Sequence, residues 1–97
     1  MLEMMANRYL LNGDEDKAIE LYRQALLEKG ENAKLRCRLI AALMRSGRER
    51  QALEELERMR DNLGLDRADQ LLRDCKESLK GSEPDQTMAR RWNKLLS

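Results

Sequence analysis

Gly13, Gly47 and Gly81 recur at a constant interval of 34 residues. The same interval relates Met5 to Leu39, Tyr9 to Leu43, Leu10 to Met44, Ala18 to Ala52, Ile19 to Leu53, Tyr22 to Leu56 and Gly30 to Gly64. A repeat of this length is one supersecondary unit. It cannot bury its own apolar face and must stack on a neighbour, which restricts the chain to a solenoid-like array.

Each period reads as two helices. In the first, Leu2, Met5, Ala6, Tyr9 and Leu10 fall on one stripe at helical spacing. Gly13 ends that helix, Asp14 caps the next, and Glu15 and Asp16 suit the positive end of its macrodipole. The following stripe is Ala18, Ile19, Tyr22, Ala25 and Leu26, closed by Lys29 and Gly30. The second period repeats the plan. Leu35, Leu39, Ile40, Leu43 and Met44 form one stripe, Ser46-Gly47-Arg48 the turn, and Ala52, Leu53, Leu56 and Met59 the other, before Asn62-Leu63-Gly64.

The third period departs from strict spacing. Ala68, Leu71, Leu72, Cys75 and Leu79 come two residues early, and Met88, Trp92 and Leu95 two residues late. The loop before it is therefore shorter and its turn, Gly81–Asp85, longer, with Pro84 suited to a first helical turn beginning after Ser82. The chain reads as one domain over 1–97: repeat one at 1–32, repeat two at 33–66, and a divergent repeat or capping helix pair at 67–97. Composition agrees. Ile19, Ile40 and Thr87 are the only β-branched residues and Phe is absent, which favours helix over sheet.

These residues resemble the tetratricopeptide repeat family, whose unit has a small residue and an aromatic in its first helix, Gly at the turn, and Ala, aromatic, Ala in its second. Repeat one matches with Ala6, Tyr9, Gly13, Ala18, Tyr22 and Ala25. It departs with Leu2 in place of a common Trp and Gly30 in place of a common Pro. Repeat two matches with Leu43, Gly47, Ala52 and Leu56 and departs with Ile40 and Met59 at the small positions. The resemblance covers 1–66 well and 67–97 loosely. It implies an all-α fold of antiparallel helix-turn-helix hairpins stacked as a short right-handed α-solenoid. The alanines allow close helix approach, and the tyrosines fill the space beside them with hydroxyls free to reach solvent or a partner.

The chain offers little to catalysis. It has no His, no nucleophile elbow, no phosphate-cradling loop and no metal-spaced ligand set. We expect no enzyme activity, cofactor or metal. Asp14-Glu15-Asp16 reads as an acidic first turn rather than a metal site. Cys75, on an apolar stripe, reads as a small core residue. Cys37, between Arg36 and Arg38, reads as an exposed thiol, with its basic neighbours the argument for reactivity.

In the family, the first helices of successive repeats line a concave groove. The resemblance makes Glu3, Asn7, Leu10 and Leu11 groove candidates in repeat one. It adds Lys34, Cys37, Arg38, Ala41 and Arg45 in repeat two, and Asp69, Arg73 and Lys76 in repeat three. Asn7, Lys34, Arg38, Arg45 and Arg73 would give a polar, mainly basic lining suited to an acidic peptide or a chain terminus. The family's two-carboxylate clamp wants a basic residue where Glu3 stands and Asn where Arg38 stands. Only Asn7 matches, so that specificity does not transfer.

The leading expectation is therefore a protein-interaction module, a scaffold or adaptor, with a protein or peptide segment in the groove. An alternative is a self-associating helical unit or the terminal piece of a longer repeat protein. Met1 falls inside the first helical pattern, and Trp92, the sole Trp, is a candidate contact between copies. Nucleic-acid binding through Arg36, Arg38, Arg45, Arg48 and Arg50 is a weaker alternative, opposed by a net charge of +1 and few aromatics. No apolar run reaches the ~20 residues of a membrane span, and too few cysteines are present for a disulfide framework, so the expected location is cytoplasmic.

Overall fold

The computed structural model describes the backbone of residues 1–30, 32–78 and 86–96, and the side chains of residues 1–30, 32–75 and 90–96. Among the described residues there are six helices and no strands: α1 (Leu2–Leu11), α2 (Glu15–Lys29), α3 (Ala33–Arg45), α4 (Glu49–Leu63), α5 (Leu65–Ser78) and α6 (Gln86–Leu96). The expected positions of Leu79, Gly81, Ser82 and Pro84, and the side chains of Lys76 and Met88, lie outside the described residues.

The 34-residue period is written into the backbone hydrogen bonds. Asp14 N–H donates to the Tyr9 carbonyl at 2.9 Å, and Arg48 N–H to that of Leu43 at 2.8 Å. Gly13 to Leu10 and Gly47 to Met44 are both 3.1 Å. Gly30 to Leu26 is 2.9 Å, and Gly64 to Arg60 is 2.8 Å. Gly13 has φ +87° and Gly47 φ +83°, a region costly to any residue with a Cβ. At Gly13 a Cβ would meet nothing within 4 Å, so the requirement there is backbone conformation rather than space. Asp14 accepts from Lys17 N–H at 3.3 Å and Asn32 from Leu35 N–H at 3.1 Å, capping α2 and α3.

Successive helices pack on one another from α1 to α5; α5 also lies against α3, and α6 against α3 and α4. Central α3 is consequently buried almost all round: Leu35, Arg36, Cys37 and every residue from Leu39 to Met44. The small residues Ala6, Ala18, Ala25 and Ala52 are buried, as are Tyr22, Leu56 and Met59. As the short third loop requires, Gly64 alone separates α4 from α5. Arg60 then forks onto Asp69, with Nε at 2.9 Å from Oδ1 and an Nη at 3.1 Å from Oδ2, fixing the sharp reversal.

Several expectations are corrected. Leu53 is 39 % exposed rather than core, because its face of α4 borders an open cleft beside α6. Met5 is 45 % exposed although its equivalent Leu39 is fully buried, since no described helix covers that side of α1. Trp92 is fully buried. Its α6 packs on α3 and α4, so the indole belongs to the chain's own core and is not a surface for self-association.

Candidate functional site

Residues of α1, α3 and α5 border two adjoining clefts. One, of about 350 Å³, is lined by Lys34, Cys37, Arg38, Leu71, Asp74 and Cys75. The other, of about 190 Å³, is lined by Asn7, Leu10, Leu11 and Arg38. Arg38 lines both clefts. Exposed Lys34 and Leu11 provide a cation and an apolar surface on either side of it.

Helix spacing explains the arrangement. Lys34 and Arg38 are four apart on α3, and Leu71 and Cys75 four apart on α5, so each pair shares a face. Asn7 is held from behind. The buried Tyr22 hydroxyl of α2 donates to Asn7 Oδ1, and an Arg38 Nη donates to the same oxygen at 3.3 Å. Arg38 Nε lies 3.6 Å from Glu3 Oε1, and the other Glu3 oxygen is 3.3 Å from Lys29 Nζ. The Tyr22 hydroxyl thus serves Asn7 and does not reach solvent. Burial pushes its pKa up to about 12, against a lowering by the neighbouring Arg38 charge.

The structure brings Asn7, Leu11, Lys34 and Arg38 together around these clefts. Arg73, exposed on α5, and Arg45, half-buried in the last turn of α3, line neither. Ala41 is fully buried, and Asp69 is committed to Arg60. Asp74 lines the larger cleft without having been expected there, and Leu71 and Cys75, expected on a core stripe, line it too. With Glu3 and Asp74 beside Lys34 and Arg38, the lining is of mixed charge rather than mainly basic.

Cys37 is also corrected. It is buried, with Sγ 3.9 Å from Met59 Sδ. The Cys75 thiol and burial push its own thiol far up, out of the reactive range, although nearby Arg38 acts the other way. Of its sequence neighbours, Arg38 lines the same cleft and Arg36 does not. Arg36 points into the α3–α4 interface and pairs with buried Glu55, while Arg38 remains in the cleft.

The five arginines weighed for nucleic acid do not form one patch. Arg36 is buried, Arg38 faces Glu3, and Arg48 lies 2.6 Å from Asp16 on α2. Among the described residues, no group of three or more His, Cys, Asp or Glu could hold a metal ion, and no helix is long and apolar enough to cross a membrane.

A family model described as tetratricopeptide repeat matches residues 9–75. No curated protein and no solved structure matches the chain.

Proposed function

This chain belongs to the tetratricopeptide repeat family, a family of generally non-catalytic modules that mediate protein–protein interaction, and from that premise we propose that it binds an extended peptide segment along the α1–α3–α5 clefts. The observation that carries this reading is the shared position of Arg38: this residue lines both clefts, so a single segment could run from Leu11 past Arg38 to Leu71 and Asp74. An acidic side chain or chain terminus would face Lys34 and Arg38, a basic side chain Asp74, and apolar side chains Leu11 and Leu71. Such a segment suits a scaffold or adaptor role.

The test is selection from a random peptide library, followed by calorimetric titration of Arg38→Ala and Asp74→Asn. Selected peptides should carry an acidic group with flanking apolar residues and lose affinity about tenfold or more against Arg38→Ala, as removing a charge-assisted contact costs roughly 1.5–3 kcal/mol. Peptides that bind both variants as tightly as the parent would contradict it.

A second reading, self-association, is favoured by one observation. Met1, just before α1, and Met4 and Met5 on it are exposed, whereas Leu35 and Leu39, one period after Met1 and Met5, are fully buried in the packed α3. The same repeat face is thus covered in α3 and open in α1, where a second copy could dock. Light scattering over a concentration series tests it: Met5→Glu should abolish any dimer, and a parent that stays monomeric throughout would dismiss it.

A further inference from the structure

Cys37 and Cys75 come from different repeats and from helices that pack directly on each other, α3 and α5. Both are free thiols, and both border the same cleft. Cys37 is buried at its floor and Cys75 is half-buried beside it, near enough for the Cys75 thiol to push that of Cys37 up. The peptide-binding reading gives these thiols no role, and two cysteines on packed helices beside one cleft are the arrangement from which an intramolecular disulfide can form.

We propose that Cys37 and Cys75 form a redox-responsive pair that closes to an intramolecular α3–α5 disulfide by exchange with a small-molecule disulfide such as oxidised glutathione. Cys75, nearer the cleft mouth, gives up its proton and attacks one glutathione sulfur. The glutathione S–S bond breaks, and one glutathione leaves as thiolate. The mixed disulfide removes the Cys75 thiol that holds Cys37 protonated; Cys37 then loses its proton and attacks the Cys75 sulfur, and the second glutathione leaves as thiolate. The two cysteines are oxidised by two electrons, one glutathione disulfide is reduced to two glutathione thiols, and the two cysteine protons go to the departing thiolates or to water. Lys34 and Arg38, which line this cleft together with Asp74, are cations that a glutathione carboxylate could meet there.

The order of events follows from the surroundings. Burial and the neighbouring thiol hold Cys37 in its protonated form, and its sulfur has no open path to a bulky disulfide. It therefore acts second, once Cys75 carries the leaving group. The link would tie together the two helices that form the walls of the larger cleft.

The experiment treats the folded, reduced chain with oxidised glutathione, then counts thiols after denaturation and measures intact mass. The expected result is loss of both thiols in a monomer lighter by two hydrogens, with no retained glutathione. Cys37→Ala should stop at one glutathione on Cys75, and Cys75→Ala should keep its single thiol. A parent chain that keeps both thiols, retains glutathione, or forms a covalent dimer would overturn the proposal. The parent result is decisive even if a variant folds poorly.

Discussion

The Tyr22 hydroxyl of α2 donates to the amide oxygen of Asn7 on α1, so a fully buried phenol in one layer orients a polar side chain that borders the cleft in the other. Arg38 reaches the same oxygen from α3. Asn7 thereby links three consecutive helices, and the cleft wall and hairpin core are one network. Tyr22→Phe leaves Asn7 with Arg38 as partner and should cost about 1 kcal/mol in urea unfolding, with weaker peptide binding alongside. Unchanged stability and affinity would show that the hydroxyl does not position Asn7.

The same phenol predicts an alkaline response. Its pKa is raised from 10.0 to about 12 in the folded chain, so the unfolded chain loses this proton first. The stability is fully present below pH 10 and is lost as pH rises through 12. The loss is on the order of 2–3 kcal/mol for a shift of this size. Urea midpoints of the parent should fall across that window, and those of Tyr22→Phe should fall less. Parallel curves would remove Tyr22 as the cause.

Arg36 of α3 and Glu55 of α4 form a buried ion pair, which Arg23 of α2 joins at 3.5 Å. Glu55→Ala removes the carboxylate that Arg36 meets inside the α3–α4 interface and should destabilise by about 3–5 kcal/mol. Replacing both partners, Arg36→Met with Glu55→Leu, should recover most of that loss, because an apolar pair has no charge to desolvate. Equal loss in the single and double variants would contradict this account.

Arg91 fastens α6. It pairs with Glu49 in the first turn of α4, and an Nη donates at 2.9 Å to the Met44 carbonyl in the last turn of α3. Both acceptors are electrostatically matched, one a carboxylate and one at the negative end of a helix. Arg91→Ala should cost about 1 kcal/mol once solvent screening of this partly exposed group is included. It should also shift the emission of the sole Trp, Trp92, to the red as α6 loosens. Unchanged emission would mean that the apolar packing of Trp92 and Leu95 suffices alone.

The hairpins were legible because their signals are local. Glycines at positive φ, Asp14 as a cap, and alanines at close helix approaches follow from neighbouring residues alone. Non-local packing was less legible. The pattern around Arg36 reads as an exposed basic stretch, but α3 has neighbours on nearly every side, and Glu55 receives that charge inside. Leu53 reads as core because its equivalent Ile19 is, yet α6 leaves it beside an open cleft. Asp69 reads as a groove residue until Arg60, nine positions earlier, folds back onto it. The clefts were partly legible. Asn7 and Leu11 are four apart on α1 and Lys34 and Arg38 four apart on α3, so each pair shares a helix face, whereas Asp74 and Leu71 depend on where the shortened α4–α5 connection sets α5.

The proposed peptide path crosses α1, α3 and α5 at Arg38. Its most direct test is chemical-shift mapping by NMR of the labelled chain with a library-selected peptide. The account predicts that the largest changes cluster at Asn7, Leu11, Lys34, Arg38 and Asp74. Changes confined to Leu53, Arg91 and Leu95 beside α6, with the Arg38 region silent, would contradict it.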